Sequence, residues 1–135
     1  MGNSLCLLAH DPVESWTHVL PVLASCGLDV WIAPSAEACL SDGRSTDMLC
    51  LIVDLPLEYA EISLEMLRIW KVRAPALLVA DPEEAPLRRS DADWMDVLSH
   101  PIDVRTLLGW VECVCAAHIA IHRARGERRN FPLAA

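Results

Sequence analysis

The chain has 135 residues, of which 53% are hydrophobic, and a formal net charge of −8 at pH 7. This length fits a single domain, and the apolar content excludes a disordered chain. No apolar run reaches the roughly 20 residues of a membrane-spanning helix, and the N-terminus lacks the layout of a signal peptide. We therefore expect a cytoplasmic protein without a membrane segment, whose six cysteines are free thiols.

The basic residues are unusual in kind and in position. Lys71 is the only lysine among them and the others are arginines, so any mechanism that needs a lysine must use Lys71. From Ile119 onward the chain holds four arginines and one glutamate, which leaves residues 1–118 strongly acidic. An acidic body disfavours nucleic-acid binding, because contacts with phosphates need lysine and arginine. The basic end is expected to be a solvated tail, with contact to an acidic partner or nucleic acid as the alternative.

Five short apolar runs are typical of strands that are buried on both faces. Their alternation with helical segments predicts an α/β domain with helices on both sides of a parallel sheet, since crossovers between parallel strands are right-handed. Ligands of such sheets bind at the carboxyl ends of the strands, so the residues that end or follow each run are candidate site residues. The predicted strands cover residues 5–9, 28–32, 48–53, 76–80 and 94–98.

The first predicted helix begins at Asp11, whose carboxylate can cap it, and ends before Gly27. Pro21 conflicts with this helix, because a proline in a helix interior removes a backbone hydrogen bond. The later helices are predicted from caps and from apolar residues at helical spacing. They cover residues 36–40 after a cap at Ser35, residues 58–72, a weak polar segment from Asp81, and a segment from Asp103 to about residue 123.

The ends of the predicted strands carry a set of residues at recognisable positions. His10 and Asp11 follow the first run, and Asp54 ends the third. Ala80 ends the fourth run, and His100 stands before a proline after the fifth. Over roughly residues 4–122, this spacing resembles the response-regulator receiver domain of two-component signalling.

The resemblance implies a flavodoxin-like, doubly wound fold with five parallel strands in the order 2-1-3-4-5. It places a receiver-like domain at residues 1–122 and leaves residues 123–135 as a basic tail or the start of a linker. It also implies a bacterial signalling domain rather than an enzyme, with a histidine kinase or an effector domain as its partner.

In this family, acidic residues hold Mg²⁺ against a phosphorylated aspartate, while a lysine and a hydroxyl contact the phosphoryl oxygens. The chain keeps Asp11 and Asp54 at acidic positions, with Asp54 at the position of the phospho-acceptor. However, His10 replaces one acid, Ala80 replaces the threonine or serine, and His100 replaces the lysine. The phosphate contacts that the resemblance implies are therefore incomplete.

Two further departures point the same way. Val97 occupies the position of the aromatic switch residue, and Lys71 lies near the end of the third helix, far from the site. The resemblance therefore implies a degenerate receiver that acts through protein–protein contacts and needs no cofactor. One alternative is a working receiver that is phosphorylated on Asp54 and binds Mg²⁺ through Asp11 and Asp54. The other is a small metal-binding flavodoxin-like protein that uses His10 with both aspartates.

The last helix carries more apolar surface than one sheet can cover, because apolar residues surround most of its circumference. One stripe is assigned to the sheet, and the second stripe needs a partner to bury it. Receiver domains commonly dimerise through their fourth and fifth helices, so we predict a homodimer through the last helix. A partner domain is the alternative. The second stripe consists of Trp110, Cys113, Ala117 and Ile121.

Three potential metal ligands also lie on one face of this helix. Cys115, His118 and His122 follow a spacing that can hold Zn²⁺. The alternative is ordinary packing of small and aromatic side chains in a helix.

Overall fold

A computed structural model describes residues 3–10, 14–83 and 94–130 of the chain, with only the backbone described for residues 14, 15 and 118–130. The strands are β1 Ser4–Ala9, β2 Asp29–Ala33, β3 Met48–Asp54, β4 Ala76–Ala80 and β5 Asp96–Ser99. They form one sheet in the order β2-β1-β3-β4-β5, and every neighbouring pair is parallel. The predicted α/β fold and its strand order are therefore confirmed.

The sheet separates two hydrophobic cores, because successive side chains of a strand point to opposite faces. On β1, Cys6 and Leu8 enter the core under α3 Ala36–Ser41 and α4 Leu57–Ile69. Leu5 and Leu7 enter the other core, which is covered by α1 Glu14–Thr17, α2 Val19–Ser25 and α5 Val104–Asn130. Burial on both faces explains why the central strands are continuous apolar runs.

The prediction of a single first helix is wrong, since α1 ends at Thr17 and a second helix, α2, begins at Val19. This break resolves the conflict over Pro21, which becomes the third residue of α2. The first backbone N–H groups of a helix have no partner within it, so a proline costs little there. The predicted stop at Gly27 is confirmed by its left-handed backbone, with φ of 85°.

The predicted cap at Ser35 and the predicted start of the last helix after Asp103 are confirmed. The side chain of Ser35 accepts a hydrogen bond from the backbone N–H of Ala38 at 3.1 Å. Asp103 accepts from the N–H of Arg105 and from the hydroxyl of Thr106 at the start of α5. A short 3-10 helix, Gly43–Asp47, leads into β3.

Two predicted segments have a different outcome. Of the weak helix from Asp81, only residues 81–83 are described, as coil and turn, and the rest lies outside the described residues. Helix α5 begins at Val104 and continues to Asn130, so it runs across the predicted domain boundary at residue 122. No helix in the described residues is both long enough and apolar enough to serve as a membrane span.

The placement of Trp110 in an exposed second stripe is wrong, because its side chain is only 7% exposed within one copy of the chain. Trp110 follows Leu107 by three residues and so shares the face of α5 that packs on the sheet, together with Val111 and Val114. Cys113 and Ala117 are exposed, as predicted for that stripe. The side chain of Ile121 lies outside the described residues.

Candidate functional site

Three of the predicted site residues meet at the carboxyl end of the sheet. Asp54 is the last residue of β3, Ala80 is the last residue of β4, and His100 follows β5 directly. The backbone N–H of His100 donates to the carbonyl of Ala80 at 3.1 Å, which fixes His100 beside β4. The peptide bond that follows His100 is cis.

The carboxylate of Asp54 is held at both oxygens. Nε2 of His100 lies 2.9 Å from Oδ1 of Asp54, within hydrogen-bond distance. The indole N–H of Trp16 donates to Oδ2 at 2.5 Å. The Asp54 side chain is only 13% exposed, so these two contacts replace most of the solvation of the carboxylate.

Trp16 is the site residue that the sequence analysis missed. It belongs to the apolar face of the first helix, and the structure buries it completely. A buried indole N–H needs an acceptor, and this requirement could have identified Trp16 as a residue that contacts a polar group. The contrast with Trp31, Trp94 and Trp110 is informative, because their buried indole nitrogens have no hydrogen-bond partner among the described residues.

A cavity of about 180 Å³ lies directly beside Asp54. It is lined by residues 54–56 and 79–81 together with His100. His100 is the only residue of this lining that can carry a positive charge, while Asp54 and Asp81 are acidic. Ala80 contributes only a methyl group to this lining, at the position where the resemblance predicts a hydroxyl, so it offers no side-chain donor.

His10 lies at the same end of the sheet, is exposed, and contacts the N-terminal part of α4. Its ring centroid is 6.0 Å from that of Tyr59, with the two rings tilted by 59°. Asp11 lies outside the described residues, so the predicted metal position at Asp11 and Asp54 remains a prediction. Within the described part of the chain, no three potential ligands form a metal-binding group.

The remaining predicted positions lie farther from Asp54. Val97 is half-buried in β5 and packs against the core under α4. Lys71 follows α4, which runs antiparallel to the strands, so it lies at the opposite end of the sheet. Cys115 is half-buried, and the side chains of His118 and His122 lie outside the described residues.

The cysteines are all free, as predicted. Burial raises the pKa of Cys50 to about 12. A hydrogen bond with the thiol of Cys39, together with burial, raises the pKa of Cys6 well above its usual range. Both thiols therefore stay protonated at neutral pH and serve as small apolar residues of the core.

Solved structures of response regulators share this fold. The response regulator StyR superposes with a TM-score of 0.73 at 17% identity, over 93% of this chain and 65% of StyR. The receiver domain of TorR, from the TMAO respiratory system, gives 0.71 at 13% identity, over 84% of this chain and 97% of that domain. A streptococcal redox sensor from a family that evolved from two-component response regulators gives 0.73 at 15% identity, over 91% of this chain and 55% of the sensor.

No protein-family model and no curated protein matches the sequence. This chain spans about two thirds of StyR and about half of the streptococcal sensor. The structural matches therefore establish the receiver-domain fold, and the geometry around Asp54 is the basis for considering what the domain does.

Proposed function

We propose that this chain is a receiver-like signalling domain of a bacterial two-component response regulator. In this proposal it acts through protein–protein contacts in the cytoplasm, and phosphorylation of Asp54 does not switch it. The observation that carries the proposal is the occupation of both carboxylate oxygens of Asp54 by Trp16 and His100.

Phosphorylation would place a phosphoryl group on one of these two oxygens. If Oδ2 reacted, it would become an uncharged bridging oxygen and a much weaker acceptor for the buried indole N–H of Trp16, and a buried donor left without a good acceptor costs about 1–3 kcal/mol. If Oδ1 reacted, the phosphoryl group would displace His100, the one side chain in the cavity lining that can bear a positive charge. Either product is therefore less stable than in a site with a free carboxylate, a lysine and a hydroxyl.

Incubation with acetyl phosphate and Mg²⁺, followed by intact-mass measurement, tests this proposal. We expect no stable gain of the mass of one phosphoryl group, whereas a competent receiver domain treated in parallel is labelled. Labelling that is present in the native chain and absent in Asp54→Ala would overturn the proposal.

A working phospho-receiver is the second candidate. It is favoured by the cavity beside Asp54, which leaves space for a phosphoryl group and has Asp81 in its lining as a second acid. In this candidate the reaction uses Mg²⁺, with Asp54 as acceptor and Asp11 as a further ligand. The Asp54→Ala comparison separates the two candidates directly.

The contact surface that we propose for this function is the exposed side of α5 and its border with β5. Cys113 and Ala117 are exposed there, and a shallow cavity of about 330 Å³ lies at the border between β5 and α5. Met95, at the edge of this cavity, is 54% exposed. Partly apolar, concave borders of this kind suit a second copy, a histidine kinase or an effector domain.

Ala117→Glu is the variant that tests this surface, because the substituted side chain is exposed and leaves the core intact. If the native chain is a dimer through α5, we expect light scattering to show a monomer for this variant. A native dimer that persists in Ala117→Glu would exclude α5 as the homodimer surface.

A further inference from the structure

An exposed apolar patch lies at the end of the sheet that is opposite to Asp54. Ile69, the last residue of α4, is 70% exposed, and Trp70, its C-cap, is 68% exposed. The removal of large apolar side chains such as these from water is favourable. They are therefore candidates for a contact that buries them.

A cleft of about 720 Å³ lies directly beside Trp70, the residue that follows Ile69. Its floor includes Leu40 from α3, Met66 from α4 and the buried Val72. Trp70 forms part of its wall. The patch thus combines protruding apolar side chains with an apolar hollow that is large enough to receive them.

The cleft also carries one charge of each sign. Glu37, in the first turn of α3, and Lys71, directly after α4, both line it. Because the cleft carries one acid and one base, a two-fold pairing of two copies sets the acid of each against the base of the other. In a two-fold interface each feature meets its complement on the partner, which is the requirement for an isologous contact.

Lys71 adopts an unusual backbone conformation for this role. Its φ is 66°, and it occupies the position after a helix end where glycine is usual. The N–H of Lys71 donates to the carbonyl of Arg68, and the N–H of Val72 donates to that of Leu67, as in a glycine-terminated helix. Lysine is less stable than glycine in this conformation, so the only lysine of the chain stands where the fold alone favours another residue.

We propose that this patch is a self-association surface. Ile69 and Trp70 of each copy enter the cleft of the other copy, and Lys71 of each copy faces Glu37 of the other. The surface lies away from Asp54 and on the opposite face of the sheet from α5, so self-association leaves both the candidate site and the α5 surface free. The proposal does not depend on whether Asp54 is phosphorylated.

Sedimentation equilibrium of the full chain over a concentration series tests the contact. We expect a monomer–dimer equilibrium, and we expect Trp70→Glu to raise the dissociation constant about a hundredfold or more, as for a central aromatic residue of an interface. Tyr59→Glu is the matched control, because Tyr59 is an exposed aromatic residue of the same helix that does not line the cleft. It should leave the dissociation constant within about threefold of the native value.

Charge reversal tests the pairing itself. Lys71→Glu and Glu37→Lys should each raise the dissociation constant about tenfold, because each replaces an attraction with a repulsion twice per dimer. The double variant should restore affinity to within about threefold of the native chain. Lys71→Glu exchanges one side chain for another at the same positive φ, so its melting temperature should match that of the native chain at a concentration at which both are monomeric.

Three results would overturn the proposal. One is a native chain that is monomeric throughout the concentration series. The second is a dimer that withstands Trp70→Glu and is lost in Ala117→Glu. The third is a double charge variant that associates no more tightly than either single variant.

Discussion

At the carboxyl end of the sheet, Trp16 is completely buried and its indole N–H is paired with Asp54. At the opposite end, Trp70 is exposed beside an open cleft. At the first end, both carboxylate oxygens of Asp54 already have partners within the chain. At the second end, the large apolar side chains of Ile69 and Trp70 remain uncovered. The comparison teaches that the position of a site in a fold does not show which surface is still available to a ligand or partner.

The two tryptophans provide the strongest test of this contrast. Trp16→Ala should lower the free energy of unfolding by about 3–5 kcal/mol, because it opens a cavity in the core and leaves Asp54 with one partner fewer. Trp70→Ala should change it by no more than about 0.5 kcal/mol, since the side chain is mostly exposed. Urea unfolding at a protein concentration at which the native chain is monomeric measures both. Similar losses for the two variants would contradict the contrast.

Restoring the residues of the receiver family at the carboxyl end should make the site reactive. In the variant with Ala80→Thr and His100→Lys, a hydroxyl and a permanent positive charge would meet the phosphoryl oxygens. One such donor is worth about a hundredfold in rate, so labelling by acetyl phosphate should exceed any native rate by at least that factor. The same variant carrying Asp54→Ala is the control and should stay unlabelled. Failure of the restored site to react would show that Trp16 or the missing acid, rather than these two positions, blocks the reaction.

The bond between Trp16 and Asp54 should be measurable by itself. In a double-mutant cycle with Trp16→Phe and Asp54→Ala, we expect a coupling energy of about 1.5–3 kcal/mol, as for a buried hydrogen bond to a charged group. The unfolding free energies of the four proteins give this value. A matched cycle with Trp31→Phe and Asp54→Ala should show no coupling, because the indole nitrogen of Trp31 has no hydrogen-bond partner within the described structure.

The smallest expected effect concerns Lys71, at the end of the sheet opposite to Asp54. Lys71→Gly should raise the free energy of unfolding of the monomer by about 0.5–1 kcal/mol, because glycine adopts the observed φ of 66° without steric cost. Sedimentation of the same variant should show weaker self-association, since the charge at the cleft is lost. A variant that is both less stable and equally associated would show that Lys71 serves the helix end and not the contact.

The sheet was predictable because burial on both faces leaves a continuous apolar run for each central strand. The runs predicted for β1, β3 and β4 differ from the observed strands by one residue or less at each end. The last strand begins at Asp96, two residues later than predicted. Trp94, where the predicted strand began, is buried in the core but lies before the first residue that pairs with β4. The relation of Asp54 and His100 followed from the same topology, since parallel strands end at one edge.

The errors have a common origin in contacts between distant parts of the chain. The pairing of Trp16 with Asp54 joins residues 38 positions apart, and no local pattern encodes it. The burial of Trp110 was missed because α5 is apolar around most of its circumference, so periodicity alone did not identify the face that meets the sheet. The break before Val19 had a visible signal in Pro21, but its position depended on how the two short helices pack.

The continuity of α5 has a mechanical consequence. The helix has 27 residues and is therefore about 40 Å long, and among its described side chains those up to Cys115 pack against the core beside the sheet. An unbroken helix resists bending, so its two ends move as one body. A tilt of about 5° at the start of α5 becomes a displacement of about 3–4 Å at its far end. A small rearrangement at the start of α5 would therefore produce a larger displacement at Asn130.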